Sequence, residues 1–217
     1  MTFWLIFQAL IAGAGYTILM TLACITTGIL VGLTAALLSR LQWKTVDGIL
    51  AVFTYVFRGI PVLVLLFIVF FGLPGIGIRV SPFLSMVLSL GLISGAYLSE
   101  IFRGAMNAVQ REEIVAAEAM GMTRVQSFRY IVLPQMIRFA FPGMINEFTT
   151  VLKYSPFAYT VGIPEIMKEA MSLTAVTLRG LEIYFAVGIV YYVIYKTFTV
   201  LFTAIEKRYR IPGLMVD

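Results

Sequence analysis

Long uncharged, apolar stretches alternate with shorter polar ones along the whole chain, and their lengths predict membrane-spanning helices. A helix rises about 1.5 Å per residue, so about 20 apolar residues cross the hydrocarbon core of a bilayer. Five stretches reach or approach that length, and they predict spans at residues 9–38, 48–73, 82–105, 139–157 and 181–205. The pattern therefore predicts an all-α integral membrane protein with five transmembrane helices, folded as a single domain over residues 1–217.

Two local signals within these stretches refine the prediction. The sequence Arg58-Gly59-Ile60-Pro61 interrupts the second stretch. Because proline lacks a backbone N–H, this region is expected to form a short helix, a break and a second helix. In the first stretch, Gly28 and Gly32 form a GxxxG pair, a pattern that lets another helix approach closely. The alternative is that the two glycines recur at this spacing by chance.

The basic residues are distributed unevenly between the two ends of the predicted spans. Three of the 16 lie on one side (Arg79, Lys168, Arg179) and three lie within or at the edges of spans (Arg58, Lys153, Lys196). The other ten lie on the opposite side: Arg40, Lys44, Arg103, Arg111, Arg124, Arg129, Arg138, Lys207, Arg208 and Arg210. Since cytoplasmic loops carry an excess of Lys and Arg, the N-terminus is predicted outside and the C-terminus in the cytoplasm.

Composition excludes several classes of protein. Hydrophobic residues make up 60% of the chain and charged residues 12%, with a mean hydropathy of +0.96, whereas soluble domains carry about 25% charged residues. A soluble enzyme is excluded, and lipid is the expected solvent. With no histidine and one cysteine, Cys24, the chain offers no Cys/His metal site and no catalytic histidine. The net charge of +5 comes without a basic patch of interleaved aromatics, so no nucleic acid is expected as a partner.

Residues 106–138 form the one large polar segment on the predicted cytoplasmic side. Ile114, Ala117 and Gly121 recur at helical spacing, and a second helical pattern follows until Pro134. Two short amphipathic helices lying parallel to the membrane are therefore expected. Without further information, such helices fit a docking surface for a partner or a segment that rests on lipid headgroups.

The same segment carries a spaced motif. Val115-Ala116-Ala117 is followed by three residues, Gly121, nine residues and Ile131-Val132-Leu133-Pro134. This closely resembles the EAA loop of ATP-binding cassette (ABC) importer permeases, whose pattern is Glu-Ala-Ala, three residues, Gly, nine residues, Ile, any residue, Leu-Pro. In this chain Val115 replaces the first Glu of the family pattern. Any contact that this Glu carboxylate makes with the ATPase is therefore missing here or is supplied by Glu118. The resemblance implies that the ATPase-coupling residues are Val115, Ala116, Ala117, Glu118, Gly121, Leu133 and Pro134.

Three more stretches resemble permeases for polar amino acids of the histidine, glutamine and arginine type: 58–64, 95–104 and 142–166. The resemblance implies a type I ABC importer fold in the prokaryotic plasma (inner) membrane. It also implies four kinds of partner: a second permease copy (identical or closely related), two cytoplasmic ATPase subunits, an extracytoplasmic amino-acid-binding protein and membrane lipid. No GxxxxGK[ST] motif occurs, so no cofactor is expected in this chain, and ATP and Mg²⁺ are expected on the ATPase.

Polar residues in or near the spans are the candidates for a substrate path: Glu100, Asn146, Glu147, Lys153 and Ser155. A charge near the bilayer centre costs about 2.5–3.5 kcal/mol on insertion scales, so it faces protein or water. The negative charges of Glu100 and Glu147 favour a cationic substrate, namely arginine, lysine or histidine. Lys153 would then receive the carboxylate of that substrate. The alternatives are an intrahelical pair between Glu100 and Arg103 and structural bonds for the others.

Two other classes of function remain open at this point. One is a membrane enzyme or assembly factor with a buried carboxylate site, although no pair of nucleophile and base stands out in the spans. The other is a carrier or channel that is not driven by ATP, against which the large polar loop argues. We therefore expect a transport subunit without an ATPase site of its own, and no catalytic residues.

Overall fold

The computed structural model describes residues 3–209. In that range the chain forms helices joined by short loops and contains no strand. The α-helices are α1 (Phe3–Leu38), α2 (Lys44–Gly59), α3 (Val62–Phe67), α4 (Pro82–Asn107), α5 (Arg111–Ala119), α6 (Arg124–Ser127), α7 (Leu133–Tyr154), α8 (Ile166–Thr177) and α9 (Gly180–Tyr209). Two π-helical turns follow α3 and α6, at Ile68–Gly72 and Phe128–Val132. Short 3₁₀ segments lie at Ser39–Leu41, Leu73–Ile76 and Ser155–Val161.

Within the described residues, α1, α4 and α9 are long and apolar enough to cross a membrane. The segments Lys44–Gly59 and Val62–Ile76 would provide a fourth crossing if they formed one span. Helix α7 has 22 residues but carries Arg138, Glu147 and Lys153, which lower its hydropathy. The five-span topology with the N-terminus outside therefore remains a prediction.

The break expected at Arg58–Pro61 is present in the structure. Ile60 has an extended backbone (φ −88°, ψ 129°), as the residue before a proline prefers. The helices on either side meet at 103°, so they do not form one straight span. Helix α2 contains no buried residue, and it packs mainly beside α4.

Glycines bring α1 and α4 into close contact over most of their length. A Cβ atom built on Gly28 would lie 2.6 Å from the Ser94 hydroxyl oxygen, and one on Gly32 would lie 2.7 Å from the Leu98 Cβ. Neither distance leaves room for a side chain. The GxxxG pair therefore has a packing role and is not a chance recurrence.

Two hydrophobic clusters hold the helices together. The larger one joins α1, α3, α4 and α7, with fully buried residues such as Leu66, Met86 and Val151. The smaller one joins the first turns of α1 to α8 and α9 through residues such as Leu10 and Ile183. These clusters fix α7 against α4 on one side and α8 against α1 on the other, and so position the polar residues described below.

Pro134 does not end a helix, contrary to the sequence-based expectation. Helix α6 continues through the π-helical turn into α7, and Pro134 lies in the first turn of α7. The Leu133 N–H donates to the Phe128 carbonyl five residues back, so the regular i→i−4 ladder is already interrupted where the N–H of Pro134 is missing. The polar segment therefore contains one separate short helix, α5, and a second that is continuous with a long helix.

Candidate functional site

The turn between α5 and α6 has a defined backbone geometry built on Gly121. The Met122 N–H donates to the Ala117 carbonyl (3.0 Å), and the Gly121 N–H donates to the Glu118 carbonyl (2.9 Å). This is the Schellman pattern that closes a helix C-terminus, and it requires a left-handed residue at the position of Gly121 (φ +83°). Glycine is therefore needed here by the local backbone.

Helix α6 begins immediately after this turn with a capping box. The Thr123 N–H donates to the Gln126 side-chain oxygen (2.8 Å), and the Gln126 N–H donates to the Thr123 hydroxyl oxygen (3.3 Å). Apolar side chains on both sides of the turn are largely exposed, namely Val115 (55%), Met120 (81%) and Val125 (75%). The segment is thus a helix–turn–helix with a hydrogen-bonded turn and three largely exposed apolar side chains. We call residues 111–126 the coupling segment.

A cleft of about 610 Å³ lies between α5 and the first turns of α7. Ala116, Ala117 and Pro134 line it, and the Gln135 amide donates to the Glu113 carboxylate across it. Of the predicted coupling residues, Val115, Glu118 and Gly121 are exposed, and Leu133 packs partly buried against the larger core. A Cβ on Gly121 would meet no atom within 4 Å, so this face has room for a partner.

Glu100 lies on α4, whereas the other path candidates lie on α7 and just after it. Its carboxylate forms an ion pair with Arg103, three residues on, and both side chains are partly exposed. The two residues line a cavity formed by the ends of α1, α2 and α4. The intrahelical pair considered from the sequence is therefore present.

Glu147 is buried in the contact between α7 and α4. Only 6% of the residue is exposed, and the Ser94 side chain of α4 is its polar neighbour. Asn146 lies next to it in sequence but about 100° away around the helix, and it is exposed. The two residues thus face different surroundings, Glu147 inside the bundle and Asn146 outside it.

Asn146 shares one exposed face of α7 with two other polar residues. Thr150 and Lys153 follow it by four and seven residues, which places all three along one stripe. The Thr150 hydroxyl donates to the Asn146 carbonyl (3.0 Å), and the Lys153 ammonium lies 5.5 Å above the centre of the Tyr195 ring. We call Asn146, Thr150 and Lys153 the polar stripe.

Ser155 belongs to a buried polar cluster that sequence analysis missed. Its hydroxyl lies 3.5 Å from the Tyr191 hydroxyl, which donates to a carboxylate oxygen of Glu165 (2.8 Å). The other carboxylate oxygen of Glu165 accepts the Lys168 N–H (2.8 Å) and caps α8. Burial raises the pKa of the Glu165 carboxyl above its ordinary value. Glutamate is not one of the usual N-cap residues, so the sequence held no clear signal for this cap.

The five path candidates therefore occupy four places. Asn146 and Lys153 share the polar stripe, Glu147 lies behind it in the bundle, Ser155 contributes to the cluster around Glu165, and Glu100 lies at the cavity between α1, α2 and α4. In the described residues, no group of three or more cysteine and acidic side chains could hold a metal ion.

Relatives of known classification match nearly the whole chain. The profile of the family "Binding-protein-dependent transport system inner membrane component" matches residues 28–211. The probable amino-acid permease protein YxeN of Bacillus subtilis is 33% identical over 209 residues, covering 95% of this chain and 93% of YxeN. The histidine/lysine/arginine/ornithine transport system permease protein HisQ of Salmonella typhimurium is 32% identical over 221 residues, covering 96% of each chain.

A solved structure described as an amino acid ABC transporter with histidines has the same fold. It superposes with a TM-score of 0.86 at 32% identity, over 93% of this chain and 94% of that one. Permease subunits of ABC transporters carry no ATPase site, since the ATPase is a separate subunit, so the membrane-enzyme alternative is excluded. The chain belongs to the family of inner membrane components of binding-protein-dependent transport systems, and within it resembles the permease subunits of amino-acid ABC transporters.

Proposed function

We propose that this chain is the permease subunit of an ATP-driven amino-acid importer in a prokaryotic plasma membrane. Two copies of it, or this chain and a close relative, enclose a path that opens alternately to the two sides. Two ATPase subunits bind ATP and Mg²⁺ and dock on the cytoplasmic side, and an extracytoplasmic binding protein delivers the amino acid. The bacterial relatives named above support this assignment.

The observation that carries the proposal is the geometry of the coupling segment. A surface that transmits force from an ATPase must be stiff and must offer apolar area to a partner. The Schellman turn and the capping box fix α5 against α6, and Val115, Met120 and Val125 are exposed on this rigid frame. Three largely exposed apolar side chains within one short segment of fixed geometry fit a protein or membrane contact.

The polar stripe supports a path between two permease copies. Asn146, Thr150 and Lys153 lie on the outside of a single chain, within a helix expected in the membrane. Exposing an amide and an ammonium to lipid is unfavourable, so such residues face water or another protein chain. A second copy placed against this face of α7 would enclose the stripe, and the Lys153 ammonium would be available for the substrate carboxylate.

For the substrate we propose a polar amino acid, with a preference for arginine, lysine or histidine. The name of HisQ, a relative at 32% identity, specifies basic amino acids. In this chain the preference depends on Glu147, whose carboxylate is buried in the bundle behind the polar stripe. Glu100 is already paired with Arg103 on α4 and contributes less.

The docking assignment is tested by replacing an exposed apolar residue of the coupling segment. Met120→Asp places a charge on the proposed ATPase contact, where it would be buried without a partner. We expect the permease to reach the membrane while the cognate ATPase no longer co-purifies in a ratio of two to two. Val176→Asp is the matched control, because Val176 is exposed to the same degree (85% against 81%) on the opposite, predicted outer side.

The outcome separates docking from a lipid-resting segment. Loss of the ATPase with Met120→Asp but not with Val176→Asp supports the proposal. Unchanged co-purification and unchanged substrate-stimulated ATP hydrolysis with Met120→Asp would refute it. Met120 is preferable to Gly121 for this test, since a side chain at Gly121 would also strain a left-handed backbone.

A further inference from the structure

A partly open cavity of about 470 Å³ lies between α1, α2 and α4 at their predicted cytoplasmic ends. This volume falls within the range of about 300–1,000 Å³ that is typical of small-molecule sites. Small residues, Ala35, Ala36 and Ala51, are among those that line it. The cavity is separate from the polar stripe and from the coupling segment, which are formed by other residues.

Charges of both signs line this cavity. Arg40 and Arg103 provide two guanidinium groups, and Asp47 and Glu100 provide two carboxylates. Arg103 and Glu100 are paired with each other. Arg40 and Asp47 have no ion pair and no side-chain hydrogen bond to another residue in the part of the chain that is described. The cavity thus offers one unpaired donor group and one unpaired acceptor group, with no net charge among the four residues.

The cavity lies where the apolar part of α1 ends. No charged residue precedes Arg40 in the chain, so Arg40, just after the end of α1, marks the predicted cytoplasmic edge of the hydrocarbon core. The same helices expose apolar side chains nearby, including Leu38 (41%), Ile49 (64%) and Val52 (64%). A ligand with a charged head and an apolar tail would therefore find surface for both parts.

We propose that this cavity binds the headgroup of a zwitterionic inner-leaflet phospholipid that carries a primary ammonium, of the phosphatidylethanolamine type. Arg40 donates to the phosphate, since a guanidinium matches phosphate geometry with two parallel hydrogen bonds. Asp47 accepts from the ammonium. An anionic headgroup would bring excess negative charge towards Asp47 and Glu100, and a choline headgroup has no N–H to donate to Asp47.

The bound headgroup would help to position α2. This helix buries none of its residues, and it precedes the 103° bend at Ile60–Pro61. A phospholipid held between Arg40 at the end of α1 and Asp47 in the first turn of α2 links the two helices. The inference depends on the predicted inside position of these ends and not on the proposed transport activity.

Lipid binding can be measured directly on the purified full-length permease. Native mass spectrometry after reconstitution with equal amounts of phosphatidylethanolamine and phosphatidylglycerol gives the ratio of the two lipids retained. We expect Arg40→Gln and Asp47→Asn each to lower retention of phosphatidylethanolamine about tenfold, because each removes one of the two charged groups that bind the headgroup. Lys44→Gln and Glu112→Gln are the matched controls, since neither residue lines the cavity, and they should leave the ratio unchanged.

Three results would overturn the proposal. The first is equal retention of phosphatidylethanolamine by the wild type and by both cavity variants. The second is a wild type that retains phosphatidylglycerol as strongly as phosphatidylethanolamine. The third is displacement of the lipid by millimolar arginine, which would make the cavity a site for a free amino acid. If either Arg40→Gln or Asp47→Asn fails to fold, the other variant still tests the proposal. Because the readout is the ratio of retained lipids, a loss of transport would not affect it.

Discussion

At the scale of single residues, the position of a side chain around its helix axis decides which polar groups can act together. Asn146 and Glu147 are neighbours in the sequence, and both are candidates for a substrate path. In the structure Asn146 is exposed on the polar stripe while Glu147 is buried against α4. The identity of these residues could be recognised from the sequence, but their orientation could not, because the packing of α7 on α4 sets it.

The preference for a basic substrate can be tested at Glu147. Glu147→Gln keeps the size of the side chain and one acceptor oxygen and removes the negative charge. If this charge favours a cationic substrate, uptake of arginine into proteoliposomes should fall about tenfold, while uptake of a neutral amino acid should change little. Glu100→Gln serves as the control, because that carboxylate is already paired with Arg103. Equal losses for arginine and the neutral amino acid would assign Glu147 a structural role.

Gly121 shows what spacing alone can and cannot reveal. The motif spacing marked this glycine as a coupling residue, and the structure adds that its backbone is left-handed and that its surroundings are open. The turn itself was foreseeable in part, since a glycine followed by Thr-x-x-Gln is typical of a helix end and a new helix start. The exposed arrangement of Val115, Met120 and Val125 around it was not foreseeable.

At the scale of helices, proline positions predicted one break correctly and one wrongly, and they did not predict the angle at the break. Proline chemistry predicted the interruption at Pro61, but the 103° angle depends on how α3 packs against α4. The same chemistry suggested that Pro134 ends a helix, and this was wrong because a π-helical turn carries the chain into α7. A single sequence contains no clear signal for a π-helical turn, since its stability comes from tertiary contacts.

The cluster around Glu165 joins three helices, and its contribution to stability can be measured. Glu165→Gln keeps an acceptor oxygen for the Lys168 N–H, and its NH2 group can donate to the Tyr191 hydroxyl, whereas Glu165→Leu removes both bonds. Losing a helix cap costs about 1 kcal/mol, and leaving a buried donor unpaired costs about 1–3 kcal/mol more. We therefore expect Glu165→Leu to lower the Tm in detergent clearly, with Tyr191→Phe intermediate and Glu165→Gln close to the wild type.

The same carboxyl should make stability depend on pH. Burial raises the pKa of Glu165 in the folded chain above 4.5, so the folded state binds more protons than the unfolded state above that value. Stability from this group is therefore present at low pH and is lost as the pH rises through the folded-state pKa. As the pH rises from 5 to 8, the Tm of the wild type should fall by more than the Tm of Glu165→Gln. Parallel Tm profiles for the two proteins would show that Glu165 does not titrate in this range.

At the scale of the whole molecule, the coupling segment and the cavity between α1, α2 and α4 share one predicted side, and α8 lies on the other. The all-helical membrane fold followed from hydropathy because about 20 apolar residues can be stable in lipid only as a helix. The sidedness follows from the distribution of Lys and Arg, which the fold alone does not determine. Every role proposed for the coupling segment depends on this sidedness.

Cysteine labelling tests the sidedness directly. Cys24 is the single cysteine and is buried, with its thiol facing the Met86 carbonyl, so a Cys24→Ala background should fold and should not react with a membrane-impermeant maleimide. In that background Ser172→Cys, on the exposed surface of α8, should be labelled in intact cells. Val125→Cys, which is exposed but takes no part in the capping box, should be labelled only after the membrane is opened. Labelling of Val125→Cys in intact cells, with protection of Ser172→Cys, would place the coupling segment outside and remove the basis for ATPase docking.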